Sequence, residues 1–335
     1  MIDLHIAWFI LMGVLMAGYG ILDGFDLGVG VLHIFARGDE ERQLFMHSIG
    51  PVWDGNEVWL VVFGGALFAA FPDAYAASFS GFYLPFMILL CALIFRGVSL
   101  EFRNKHKAKL WRDLWDFSFF MSSLAICFLL GVAVGTTMLG LPLDKYGFFT
   151  GGLKDVFQPY PILIGLFSVA GCTMHGAIYL YMKTEGELQR RIHGWMWRSF
   201  GFFLIIYMLS TVVTLIRIPQ SHENFDKYPF TWVALVLNIL AIANVPRAIH
   251  LNRPGQAFLS SSAVIVTLTA LFGVALFPNL IRSSLDPALS LTIYNASSSE
   301  PTLAIMMVIA CIGIPFVLTY TGIVYWVFRG KVRAD

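Results

Sequence analysis

Apolar positions in this chain run together instead of alternating. Nine stretches, roughly 6–31, 54–71, 74–95, 117–140, 161–182, 199–216, 230–250, 257–281 and 302–328, are dominated by Leu, Ile, Val, Phe, Ala, Gly and Met. Each is close to the ~20 residues a helix needs to cross a hydrocarbon core. The period-2 alternation of a membrane barrel strand is absent. Hydrocarbon offers the backbone no hydrogen-bond partners, so such runs must satisfy their own peptide groups as helices. The pattern predicts an all-α fold: a polytopic integral membrane protein with nine transmembrane helices. Loops are short, the longest being 282–301, and no repeat or low-complexity tract marks a boundary. Residues 1–335 read as a single transmembrane helical domain. Pro85 and Pro315 fall inside spans 3 and 9, where the missing N–H predicts kinks.

Composition agrees. The 335 residues are 58% hydrophobic and 13% charged, against about 25% charged in soluble proteins. A net charge of +1 leaves no electrostatic footprint for nucleic acid. Residues 1–31 carry no Lys or Arg, so span 1 lacks the basic start of a cleaved leader and reads as a permanent anchor. Cys91, Cys127, Cys172 and Cys311 lie within spans without a CxxC pair and read as small buried apolar side chains. Walker, dinucleotide and nucleophile-elbow motifs are absent.

Charge placement orients the chain. Of the 22 Lys and Arg residues, only Lys145, Lys154, Arg217, Lys227 and Arg282 fall on the side reached by the even-numbered spans. The others follow spans 1, 3, 5 and 7 or lie in the tail with Arg329, Lys331 and Arg333. The positive-inside rule then places the N-terminus outside and the C-terminus in the cytoplasm.

Acids at the cytoplasmic ends of spans carry the candidate chemistry. Gly50-Pro51-Val52-Trp53-Asp54-Gly55-Asn56-Glu57-Val58-Trp59 opens span 2, and Asp23-Gly24-Phe25-Asp26-Leu27-Gly28-Val29-Gly30 ends span 1. An Asp at the centre of a membrane helix costs roughly 2.5–3.5 kcal/mol on insertion scales. Asp54 and Glu57 are three apart and share a helix face; they either hold a proton between them or, in the case of Asp54 or Asn56, cap the helix. Asp23 and Asp26 either pass protons or a cation, or pair with Arg96 or Arg103. Arg96 is expected to snorkel to the cytoplasmic interface and serve a pairing role. Asp116 opens span 4 on the same side, and Glu101 lies in the basic loop after span 3. His175, deep in span 5, is either a haem or metal ligand or a hydrogen-bonded interior His.

Taken together, the segment 50–59 resembles the hallmark of subunit II of the cytochrome bd quinol oxidases. So do Asp23-Gly24-Phe25-Asp26-x-Gly28-x-Gly30, Gly65-Ala66-Leu67-Phe68-Ala69-Ala70-Phe71-Pro72, Phe79-Ser80-Gly81-Phe82-Tyr83, Phe95-Arg96-Gly97 with Glu101-Phe102-Arg103, His175-Gly176-Ala177-x-Tyr179-Leu180, Phe277-Pro278 with Ser283-Ser284, and Asn295-Ala296-Ser297-Ser298. The resemblance covers essentially the whole chain. It implies a terminal respiratory oxidase of a bacterial or archaeal cytoplasmic membrane that oxidises quinol and reduces oxygen to water. It implies two b-type haems and one d-type haem, all ligated by subunit I, the principal partner. This chain would then support assembly, the oxygen-side haem environment and proton delivery from the cytoplasm, with Asp54 matching the family's proton-route aspartate. Small accessory single-helix subunits, lipid and a bound quinone are further associations the resemblance allows. From the residues alone, two other readings stand: a proton- or cation-coupled secondary transporter, and a scaffold subunit without chemistry.

The orientation is directly testable. Alkaline phosphatase fused to the C-terminus is expected to be inactive and green fluorescent protein fused there to fluoresce; an active phosphatase would invert the topology.

Overall fold

The computed structural model describes residues 3–332, and Arg333 of the basic tail lies outside them. Long apolar runs form long helices. In chain order they are α1 (Leu4–Leu32), α2 (Gly38–Ile49), α3 (Trp53–Ala70), α4 (Pro72–Gly81), α5 (Tyr83–Phe102), α6 (Lys109–Leu139), the single turn α7 (Leu153–Val156), α8 (Pro159–Lys183), α9 (Gly186–Arg217), the short α10 (Glu223–Lys227), α11 (Trp232–His250), α12 (Pro254–Leu276) and α13 (Glu300–Val327). Two short strands, β1 (Asn279–Ile281) and β2 (Leu291–Thr292), pair antiparallel in the segment before α13.

Eight of these helices are long and apolar enough to cross a membrane. The ninth predicted span is α3, whose first turns carry Asp54, Asn56 and Glu57 and dilute its apolar character. Eight of the nine predicted spans therefore stand on length and hydropathy alone, and α3, a helix of 18 residues, falls short of that measure only through its polar start. Span 3 needs correcting. The run 74–95 is broken at Phe82 into α4 and α5, with Pro85 in the first turn of α5. Proline is tolerated in a first turn, where its missing N–H would have no intrahelical partner. Pro315 lies within a helix that continues on both sides. Span 8 stops at Leu276, before Pro278, instead of running to 281.

At the charged end the helices outrun their apolar cores. α6 starts at Lys109 and α9 at Gly186, so Arg112, Arg190, Arg191 and Arg198 sit on helix rather than in loops. Glu101 is likewise in the last turn of α5. Hydropathy marks the lipid-immersed part of a helix; Lys, Arg, Gln and Glu are good helix formers and extend it beyond the bilayer. The amphipathic α2 is an element the apolar pattern could not reveal.

α1 is the central post and packs on α3, α6, α8, α12 and α13. Its closest neighbour is α8. A Cβ on Gly28 would collide with the carbonyl of Cys172 and the Cα of Gly176, and a Cβ on Gly176 would collide with the backbone of Gly28. Glycine at both positions lets the two backbones touch. Beside this crossing, Phe25 stacks on Tyr179 with ring centroids 4.0 Å apart. One apolar core surrounds Phe25, Phe45, Phe119 and Phe203. Another, around Trp8, Phe71, Leu141 and Ile293, closes the opposite end beneath the loop that carries β1 and β2.

The peripheral helix α13 buries only Leu303. Trp8 Nε1 donates to the Leu303 carbonyl at 3.0 Å, and Lys183 donates to the carbonyl of Phe328.

Gly28→Ala is expected to destabilise the chain by about 1–3 kcal/mol through overpacking against backbone that cannot yield. Gly13→Ala, which meets open space, should be near neutral. Thermal unfolding of the two variants in detergent checks the contrast.

Candidate functional site

Asp23 and Asp26 lie three residues apart on one face of α1, so both carboxylates point into the bundle. Arg96 of α5 meets them there. Its Nη1 donates to Asp23 Oδ2 at 3.0 Å and its Nη2 to Asp23 Oδ1 at 2.5 Å, while Nη2 lies 3.9 Å from Asp26 Oδ2. All three side chains are 0% exposed. Arg96 therefore turns inward instead of snorkelling, because a bidentate carboxylate replaces the water it would otherwise seek.

Asn56 completes the group from the start of α3. Its Nδ2 donates to Asp26 Oδ2 at 2.7 Å and to the Leu22 carbonyl at 3.1 Å. Tyr325 of α13 donates its hydroxyl to Asn56 Oδ1 at 2.8 Å. Among the described residues, Asp26 Oδ1, Arg96 Nε and Tyr19 Oη are buried without a partner. A cavity of about 30 Å³ adjoins Asn56 and Tyr325 between α3 and α13, large enough for a water and too small for a substrate. A larger cavity of about 300 Å³, lined by Asp73, Asp144, Lys145 and Asn295, touches none of the four predicted acids.

A second polar group ties the helix ends together. Arg103 grips Asp116 through Nε (2.5 Å) and Nη2 (3.1 Å) and reaches Asp39 of α2 at 2.6 Å. His33, just after α1, lies 2.7 Å from Asp116 Oδ1. Arg42 bridges Asp116 (3.0 Å) and Asp113 (3.1 Å). Arg112 pairs with Asp39, and Arg191 of α9 pairs with Glu41. Arg103 thus belongs to Asp116, not to the acids of α1.

The four predicted acids separate accordingly. Asp23 and Asp26 are brought together, whereas Asp54 is exposed on the outer face of α3 and Glu57 is half-buried. Val52 is the N-cap of α3 and no side chain caps this helix, so the capping reading of Asp54 and Asn56 fails. Both nitrogens of His175 are engaged, Nδ1 with Ser261 Oγ at 2.7 Å and Nε2 with the Ile21 carbonyl at 3.0 Å. Its ring stacks on Phe258, which leaves neither nitrogen open as an axial ligand in this arrangement. Sequence reasoning missed Tyr325 altogether. It saw Asn56 only as a cap, although an amide set between two acids was the available signal.

This polar architecture sits in a chain whose sequence matches the family model described as cytochrome bd terminal oxidase subunit II over residues 4–328. The chain belongs to that family. The chain is 34% identical to cytochrome bd-I ubiquinol oxidase subunit 2 of Escherichia coli K12, covering 99% of this chain and 96% of that one. It is 35% identical to cytochrome bd ubiquinol oxidase subunit 2 of Bacillus subtilis 168, with 99% and 98% covered. The fold is shared with a bd oxidase chain from Geobacillus thermodenitrificans, at a TM-score of 0.82, 18% identity and 97% and 98% coverage. Membership makes the chain a multi-pass component of a haem-containing quinol oxidase of respiratory electron transport, with a subunit I as partner.

The two ion-pair groups should respond differently to the loss of an arginine. Arg96→Leu strands Asp23 in the core and is expected to cost about 3–5 kcal/mol. Arg42→Ala removes a part-exposed partner from Asp116, which keeps Arg103, and should cost under about 1 kcal/mol. Yield and melting temperature of the purified complex check the ranking.

Proposed function

We propose that this chain is the subunit of the oxidase that ligates no haem and delivers protons, with Asp26 as the buried proton-holding group. Charge balance supports this reading. Arg96 supplies one positive charge to two fully buried carboxyls. Asp23 takes both arms of the guanidinium, and Asp26 is left with an unpartnered oxygen. An uncompensated buried carboxylate is costly, so the second acid keeps a proton and can release it when the local charge changes.

In this reading the termini lie as the basic residues predict, N-terminus outside and C-terminus in the cytoplasm of a bacterial inner membrane. The acids then open toward the side from which oxygen reduction draws protons. Subunit I holds the two b-type haems and the d-type haem. It covers the outer face of α3, where Asp54, Val58, Val61, Gly65 and Phe68 are exposed in one stripe. Asp54 thereby becomes an inter-subunit carboxyl between the cytoplasm and the haems, with Glu57 one turn further on. Burial by the partner supplies the low-dielectric setting that this chain alone does not provide for Asp54. Assembly support follows from the same face.

The test is quinol-driven oxygen consumption by the assembled complex at full haem content. Asp26→Asn and Asp54→Asn keep size and polarity but cannot carry a proton, and each is expected to slow turnover by about tenfold or more. Wild-type turnover by either variant removes that residue from the proton route.

A further inference from the structure

Asn56 stands between the water-sized cavity and Asp26: it lines the first and donates to the second. Its amide has one possible orientation. The Leu22 carbonyl can only accept, so the group facing it is the Nδ2 amine, and the same amine faces Asp26 Oδ2. Asp26 Oδ2 is therefore an acceptor in this arrangement, and a proton held by Asp26 sits on Oδ1. An amide is a poor proton carrier. Proton exchange between Asp26 and the cavity requires the Asn56 side chain to swing aside, and its Oδ1 is fastened by the Tyr325 hydroxyl from α13.

We infer that Tyr325 and Asn56 form a latch that governs access of water to Asp26. Both are positioning residues: neither carries the proton, and each controls whether the carboxyl that does can meet water. The latch joins the otherwise peripheral α13 to the buried acids across the short distance from Tyr325 through Asn56 to Asp26. The inference rests on the proposed proton-holding role of Asp26.

Infrared difference spectroscopy of the intact complex, with its partner subunit, tests both levels separately. A protonated buried carboxyl gives a C=O stretch that Asp26→Asn should abolish; if no band is lost, Asp26 holds no proton and the reading beneath the latch fails. With the band assigned, Tyr325→Phe keeps the ring against Phe25, 6.3 Å between centroids, and removes only the hydroxyl. The band is expected to move to higher frequency as the hydrogen bond to the C=O oxygen weakens, and to exchange into deuterium oxide several-fold faster. Asn56→Leu, which cannot donate, should produce the same two changes and serves if Tyr325→Phe does not assemble. An unmoved band, or exchange that is unchanged or slower in these variants, overturns the latch while leaving the role of Asp26 intact.

Discussion

A guanidinium facing two carboxyls inside a helical bundle is the constraint around which this chain is arranged. At a surface, such a pair contributes little. In the interior, each charge has lost its water, and removing one partner leaves the other stranded. Arg96 therefore ties α5 to α1, Asp26 accepts from Asn56 of α3, and Asn56 in turn accepts from the Tyr325 hydroxyl of α13. Four helices that would otherwise slide on apolar contacts are held in register by one polar cluster.

The second cluster uses the same residue types to a different end. Around Asp116, Asp113 and Asp39, every carboxylate has a guanidinium of its own or a share in one, and His33 adds a further contact. Those charges are balanced, so the group serves as a clasp joining α2, α5, α6 and the end of α1. The inner cluster has one acid in excess of its guanidinium, which is the basis of the proton role proposed for it, whereas the outer cluster is balanced.

Two faces of α3 divide the labour of the Trp53–Glu57 motif. Residues two apart on a helix point in nearly opposite directions, so Asp54 looks outward while Asn56 looks to the core. The close approach of α1 and α8 at Gly28 and Gly176 stacks Phe25 against Tyr179 beside the inner cluster. The acids thus sit beside aromatic and apolar walls, with room on one side for little more than a water.

The sequence by itself determined the class of the molecule. Apolar runs long enough to cross a bilayer can only become helices in lipid, and the motifs at 23–30 and 50–59 carried the family and the acids of interest. It could not show where α4 ends and α5 begins, because hydropathy does not register a break between two apolar helices. Nor could it reveal α2 or the charged extensions of α6 and α9, which lie beyond the lipid that the pattern reports. Which acid pairs with which arginine was decided by tertiary structure alone. Arg96 and Arg103 are equally plausible partners for Asp23 along the chain, and only the packing of α6 against both α5 and α1 sends one inward to Asp23 and the other to Asp116. Tyr325 lies 269 residues from Asn56, a separation that no local pattern bridges.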